Sequence, residues 1–166
     1  MSYKERITYI EKAHKVLNNY FFGGKLKTPF INICNIEKYV DYGILGLFVS
    51  DTSKMPETIF TDKACAILFS HEQAERADNE ETENAKNAHF ISTLLHEMIH
   101  QYCYENNIKD NENGVHLKSF ADEAEGHGLI VNPVVIGGSI NYNRTFLDPD
   151  CSEVWETLNA NYEHIV

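Results

Sequence analysis

The stretch Leu94-Leu95-His96-Glu97-Met98-Ile99-His100 decides how this chain is read. Coiled into a helix, it sets His96 and His100 four residues apart and about 40° apart around the axis. Both imidazoles then leave one face, a turn apart, and grip a single Zn²⁺ from two directions. Glu97 lies about 100° round from His96. There it reaches a water bound to zinc without being a ligand itself. That is the mechanical content of H-E-x-x-H: two ligands and one general base from one helical turn.

The helix is signalled on both sides of the motif. Ile91, Leu94, Leu95, Met98 and Tyr102 recur at spacings of three and four and form an apolar stripe. Residues 88–105 contain no Gly or Pro. His96 and His100 fall beside the stripe, which suits a metal held at the edge of a core.

The chain's 166 residues are the size of one domain, 1–166, and 43% apolar content with nine Phe and nine Tyr is enough for a real core. No stretch approaches the roughly 20 apolar residues of a membrane span. The opening Met1-Ser2-Tyr3-Lys4-Glu5-Arg6 has no signal-peptide character, so a cytoplasmic location is expected. Cys34, Cys65, Cys103 and Cys151 are scattered with no C-x-x-C, which excludes a zinc ribbon and reads as isolated reduced thiols. The net charge of −11 is uneven: residues 1–40 carry seven Lys/Arg against three acids, the remainder seven against twenty-two. An acidic protein is repelled by nucleic acid at long range. The basic N-terminal part reads as an ordinary solvated helix face.

Residues 3–20 predict an amphipathic helix, with Ile7, Ile10, Ala13, His14, Leu17 and Phe21 on one side and Gly23-Gly24 ending it. His14 reads as a core-edge histidine. A short strand follows Pro29 through Phe30, Ile31, Ile33 and Ile36, and Asp41-Tyr42-Gly43 is a turn. Residues 44–49 form a second strand, with Gly46 as a bulge. Residues 51–57, containing Pro56, are a loop. Ile59-Phe60 continue the sheet, and residues 64–69 are a third strand. Residues 71–86 are a polar, acidic connector, either a mobile loop or a solvated helical extension. The motif helix ends near Asn106-Asn107, and 110–114 is a polar loop. His116 opens another helical pattern through Leu117, Phe120, Ala121 and Ala124, ended by Gly126 and Gly128. Asn132-Pro133, Gly137-Gly138 and Asp148-Pro149 punctuate an irregular tail. Asp150 and Glu153 form a capping box for a last helix with Val154, Trp155, Leu158 and Tyr162. The expected class is α+β: a small sheet packed against helices that flank it in sequence.

A catalytic zinc wants three protein ligands and one open position. A metzincin extension needs Gly at 103 and His at 106; this chain has Cys103 and Asn106. A gluzincin would take a Glu from the next helix, here Glu123. His116 and His127 are the other candidates. His116 has the strongest physical case, because the intervening loop can bring its helix back over the first and Phe120 and Ala124 anchor it. His127, between two glycines at the far end, reads as a cap or surface residue.

The run Thr93-Leu94-Leu95-His96-Glu97-Met98-Ile99-His100-Gln101-Tyr102, followed after a polar loop by His116-x-x-x-Phe120, resembles the SprT-like zinc metalloproteases. Upstream, Leu17-Asn18-Asn19-Tyr20-Phe21-Phe22-Gly23-Gly24-Lys25-Leu26 is similar to that family's first helix and strand, where an aromatic pair precedes a Gly-x-Leu turn. The resemblance covers roughly residues 3–128. It implies a compact zincin (gluzincin-like) core with a small sheet packed on an active-site helix. Zinc would be held by His96, His100 and, from the next helix, His116, with Glu97 as base. It also implies a protein or peptide substrate, since the family is best known for degrading proteins crosslinked to DNA. The chain lacks the C-terminal cysteine ribbon many relatives carry and is strongly acidic. Both departures count against dependence on nucleic acid and leave the peptidase chemistry intact.

The chemistry expected is therefore metal-assisted peptide hydrolysis. Zinc lowers the pKa of its water to about 7, and Glu97 takes the proton and delivers it to the leaving amine. Tyr142, Arg144 and His127 are candidates to donate to the developing oxyanion, and Thr93 and Glu125 to orient the ligand imidazoles. The rival reading is a binding module in which zinc only staples the fold.

Overall fold

In the computed structural model, residues 1–36, 44–55, 61–147, 152–161 and 163 are described. The first helix, α1 (Tyr3–Phe21), starts in a reciprocal cap: the Ser2 hydroxyl accepts from the Glu5 amide while the Glu5 carboxylate accepts from the Ser2 amide. Its inner face buries Ile10, Ala13, His14 and Leu17, as the periodicity predicts. Arg6 is also buried. It donates to Asn87, lies 3.4 Å from the Glu83 carboxylate, and sits 5.2 Å above the Phe90 ring. A guanidinium can be buried there because hydrogen bonds, an anion and an aromatic face all receive it.

Three short strands follow: β1 (Phe30–Ile33), β2 (Gly46–Val49) and β3 (Ala66–Phe69). They form one sheet in the order β1-β3-β2, with β1 parallel and β2 antiparallel to β3. Central β3 is buried on both faces. Ile67 and Phe69 join the main core, while Ala66 and Leu68 pack with Ile36 and Met55 on the other side. That is why Ala66-Ile67-Leu68-Phe69 shows no polar alternation.

Between sheet and motif, the connector takes the helical of its two expected forms, α2 (His71–Asp78), capped by the Ser70 hydroxyl. Gln73, Ala74 and Ala77 give it a narrow buried edge. Small side chains carry too little hydropathy to show through the acidic residues around them. The motif helix, α3, spans Glu83–Glu105 and begins at a Thr82 cap. Phe90, Ile91, Leu94, Leu95, Met98 and Ile99 are nearly or fully removed from solvent, each contributing about 1.5–3 kcal/mol.

The 110–114 loop is in fact a small hairpin, β4 (Asn111–Glu112) and β5 (Val115–His116). Its turn is Asn113-Gly114, with φ 52° and 80°, the pairing a two-residue reversal with both φ positive demands. Helix α4 (Lys118–Gly126) follows. The irregular tail is likewise overturned. Residues 129–136 and 139–147 are β6 (Leu129–Ile136) and β7 (Ser139–Leu147), an antiparallel hairpin turning on Gly137-Gly138 at φ 57° and 82°. Helix α5 (Glu153–Ala160) is capped by Ser152, whose hydroxyl accepts from the Trp155 amide, so Glu153 is the first residue of the helix and not the closing member of a capping box with Asp150. The turn at 41–43, Pro56, Ile59-Phe60, Asp148-Pro149, Cys151, Tyr162 and the Asp150 half of the expected capping box lie outside the described residues. The described architecture is α+β: five α-helices and three small sheets. No described helix is long and apolar enough to cross a membrane. Cys65 and Cys103 are buried free thiols and Cys34 is half-buried.

His14 is a core residue rather than an edge one. Its Nε2 lies 3.1 Å from Gln101 Oε1, and Gln101 Nε2 donates to the Lys27 carbonyl at 2.7 Å. Burial holds its pKa down to about 4, with the Gln101 bond pulling the other way. The unfolded chain takes up this proton near pH 6.5 while the folded chain refuses it until about 4. His14 therefore costs nothing above pH 6.5, and stability falls by about 3 kcal/mol as pH drops through that window. Urea unfolding at pH 7.5 and 4.5 tests this. His14→Leu is expected to lose less on acidification than wild type by about that amount; equal losses would remove His14 as the source.

Candidate metal centre

On α3 the motif behaves as helical geometry requires. His96 and His100 project from adjacent turns with their Nε2 atoms 3.2 Å apart. His116 completes the group, its Nε2 3.0 Å from that of His100. It does so from β5, not from the next helix as the sequence predicts. Leu117 separates it from α4, which contributes Phe120 instead. The buried Phe120 ring touches all three imidazoles, at centroid distances of 4.9, 4.5 and 4.8 Å from His96, His100 and His116.

These residues fit a metal ion. The three ligand nitrogens lie within 4.8 Å of one another. With Zn–N near 2.0–2.1 Å and a tetrahedral angle, neighbouring donors lie about 3.3 Å apart. Proton bookkeeping agrees. His100 Nδ1 meets the Asp110 carboxylate at 2.6 Å, and an ionised carboxylate only accepts, so the ring proton sits on Nδ1. In the neutral ring, the form a metal takes, the lone pair is then on Nε2, which faces the other two imidazoles. His96 Nδ1 is 2.7 Å from the Thr145 hydroxyl. His116 is held through its backbone, its amide donating to Asn141 Oδ1 at 3.0 Å, while its Nδ1 is buried with no hydrogen-bond partner among the described residues.

Electrostatics keeps two of the imidazoles neutral. Burial, reinforced by the other two histidines, sets His96 well below the ordinary range, and burial with His100 nearby brings His116 down to about 4. Burial also pulls on His100, but the Asp110 bond and the charges of Glu97 and Asp110 outweigh it and raise its pKa. Such a carboxylate behind a ligand makes the imidazole a more basic donor.

Glu97 is buried beside the group, Oε1 4.0 Å from His96 Nε2. Burial raises its pKa; His100 and the Phe48 amide partly offset this, and Asp110 adds to it. The wall behind it is Gly46. A Cβ there would stand 2.5 Å from Thr93 Cγ2 and 3.3 Å from Glu97 Cγ and Oε1. Gly46 is thus a close approach, and the expected bulge is absent, because β2 pairs with β3 in unbroken register.

The remaining candidates fall elsewhere. His127 stacks on Phe22 at 4.4 Å and its Nδ1 donates to the Glu123 carbonyl. The Glu123 carboxylate lies 3.9 Å from that same ring nitrogen. Thr93 donates to Gln73 at 2.6 Å, and Glu125 is exposed. Tyr142 packs partly against the core from β7, and Arg144 is exposed. Asp110, Thr145 and Asn141 are the partners that sequence reasoning missed. Compared with protein-family models, curated proteins and solved structures, the chain matches none of them.

Proposed function

We propose that this protein is a zinc-dependent peptidase of the SprT-like kind, with His96, His100 and His116 as ligands and Glu97 as general base. The observation that carries this reading is the convergence of three inward imidazole nitrogens, 3.0 and 3.2 Å apart in the two close pairs, beside a buried carboxylate that is not one of them. An all-nitrogen set at tetrahedral spacing suits zinc. Bound there, zinc supplies Lewis acidity, lowering the pKa of a water and polarising a carbonyl.

The rest is the work of this chain's own groups. Glu97, its pKa raised by burial, accepts the proton of the attacking water and returns it to the leaving amine. A base raised toward working pH is a better proton carrier. Asp110 and Thr145 hold two ligand rings in orientation. The substrate class is protein or peptide. A net charge of −11 opposes close approach to nucleic acid, so DNA-associated proteins enter only as one subset of substrates.

Metal removal tests the reading. Purified protein is expected to carry one equivalent of zinc by elemental analysis and to cleave an unfolded protein such as casein. Chelation should abolish cleavage and added zinc restore it. Cleavage that survives removal of the metal sinks the proposal. Stoichiometric zinc without cleavage would favour the rival, a zinc-stapled binding module.

A further inference from the structure

Two of the three ligands are braced from one strand that belongs to neither ligand-bearing element. Thr145 meets the His96 ring and Asn141 meets the His116 backbone, and both lie on β7. The pairing between them is irregular. Asn132 faces Arg144 and Val134 faces Asn141, so Pro133 alone faces both Tyr142 and Asn143. Pro133 has no amide to give the ladder, and an extra residue opposite it bends the strand. Asn141 and Thr145, which reach His116 on β5 and His96 on α3, stand on either side of this irregularity.

The hairpin is anchored to the body mainly at its root, where Leu129, Val131 and Leu147 are buried. Toward the turn, Val135, Ile136 and Ile140 stand exposed at 71, 62 and 49%. Between root and tip, Val134 and Tyr142 are partly buried, and Asn141 and Thr145 add the two polar braces. Both run to residues that a metal ion would fix in place.

We propose that Thr145 and Asn141 are positioning residues, and that the β6–β7 hairpin is a clamp whose docking and metal binding are linked. An ion that takes the Nε2 lone pairs of His96 and His116 fixes the two donors the hairpin needs, the His96 Nδ1–H and the His116 amide. A docked hairpin in turn holds those ligands in register. Linkage makes the two effects equal in free energy. The inference rests on the metal half of the reading above and not on cleavage.

The test is zinc affinity by competition with a chromogenic chelator. Thr145→Val and Asn141→Ala are each expected to weaken zinc 10–100-fold, the usual effect of removing a ligand's outer partner. Thr145→Ser and Asn141→Asp, which keep the hydroxyl and the acceptor oxygen, are expected to restore it. Cobalt-substituted Thr145→Val should also show an altered visible spectrum, which a distant packing defect would not produce. On wild type alone, hydrogen exchange of residues 129–147 should slow when zinc is added. Should the variants misfold, that last measurement still decides. Unchanged affinity in the variants, or exchange indifferent to zinc, overturns the clamp. Wild type that binds no zinc overturns instead the reading on which it rests.

Discussion

Replacing Glu97 with Gln is expected to leave one equivalent of zinc bound and to lower peptide cleavage by about 10³-fold. The size is that of a positioned general base, roughly 10²–10⁴-fold. Retention of metal follows from the geometry. The three nitrogens form the group without Glu97, whose oxygen stays 4.0 Å from the nearest of them. Gln matches the shape of Glu and keeps an oxygen for the Phe48 amide, so the buried site need not rearrange. What it loses is the ability to take a proton. Elemental analysis and a casein assay on matched preparations decide the matter. Wild-type cleavage by Glu97→Gln would take this residue out of the mechanism.

The second large effect is expected at Gly46, which touches no ligand. Gly46→Ala should cost about 1–3 kcal/mol, the usual penalty of overpacking, and should slow cleavage by about 10²-fold, since displacement of a catalytic group by 1 Å is enough for that. The new methyl would stand 2.5 Å from Thr93 Cγ2. Thr93 cannot simply turn away, because its hydroxyl is tied to Gln73 at 2.6 Å. Strain is therefore passed along α3 to Glu97, one turn on and itself only 3.3 Å from the added atom. Adding Thr93→Ser removes the offending methyl and keeps the hydroxyl. The double variant is expected to recover most of the lost stability, read as urea midpoint, and much of the rate. No recovery would show that the wall at Gly46 acts by another route.

How much of this was legible in the chain depends on the distance over which each feature is determined. His96, Glu97 and His100 lie within one helical turn, so their common placement follows from the period of the helix alone. His116 was legible as a residue but not as an element, since a two-residue strand has no periodicity to read. Asn113-Gly114 was the available sign of the hairpin. The β6–β7 hairpin carried a sign too. Gly137-Gly138 stands between Val134-Val135-Ile136 and Ile140-Asn141-Tyr142, yet an exposed two-stranded ribbon lacks the regular apolar alternation of a half-buried one. Asp110 and Thr145 could not be found this way. They meet His100 and His96 across 10 and 49 residues, and only the folded chain brings them there. The family resemblance placed His116 among the ligands but on a helix, where this chain uses a strand.

Phe120 carries a consequence for any ion held by the three imidazoles. One phenyl ring lies against all three imidazoles, so a single apolar side chain from the core backs every one of the three rings. An ion with longer bonds would have to spread those rings against a side chain that is itself fully buried. On the metal reading proposed above, selectivity among divalent ions would be governed from underneath, by a hydrocarbon floor as much as by the nitrogens above it.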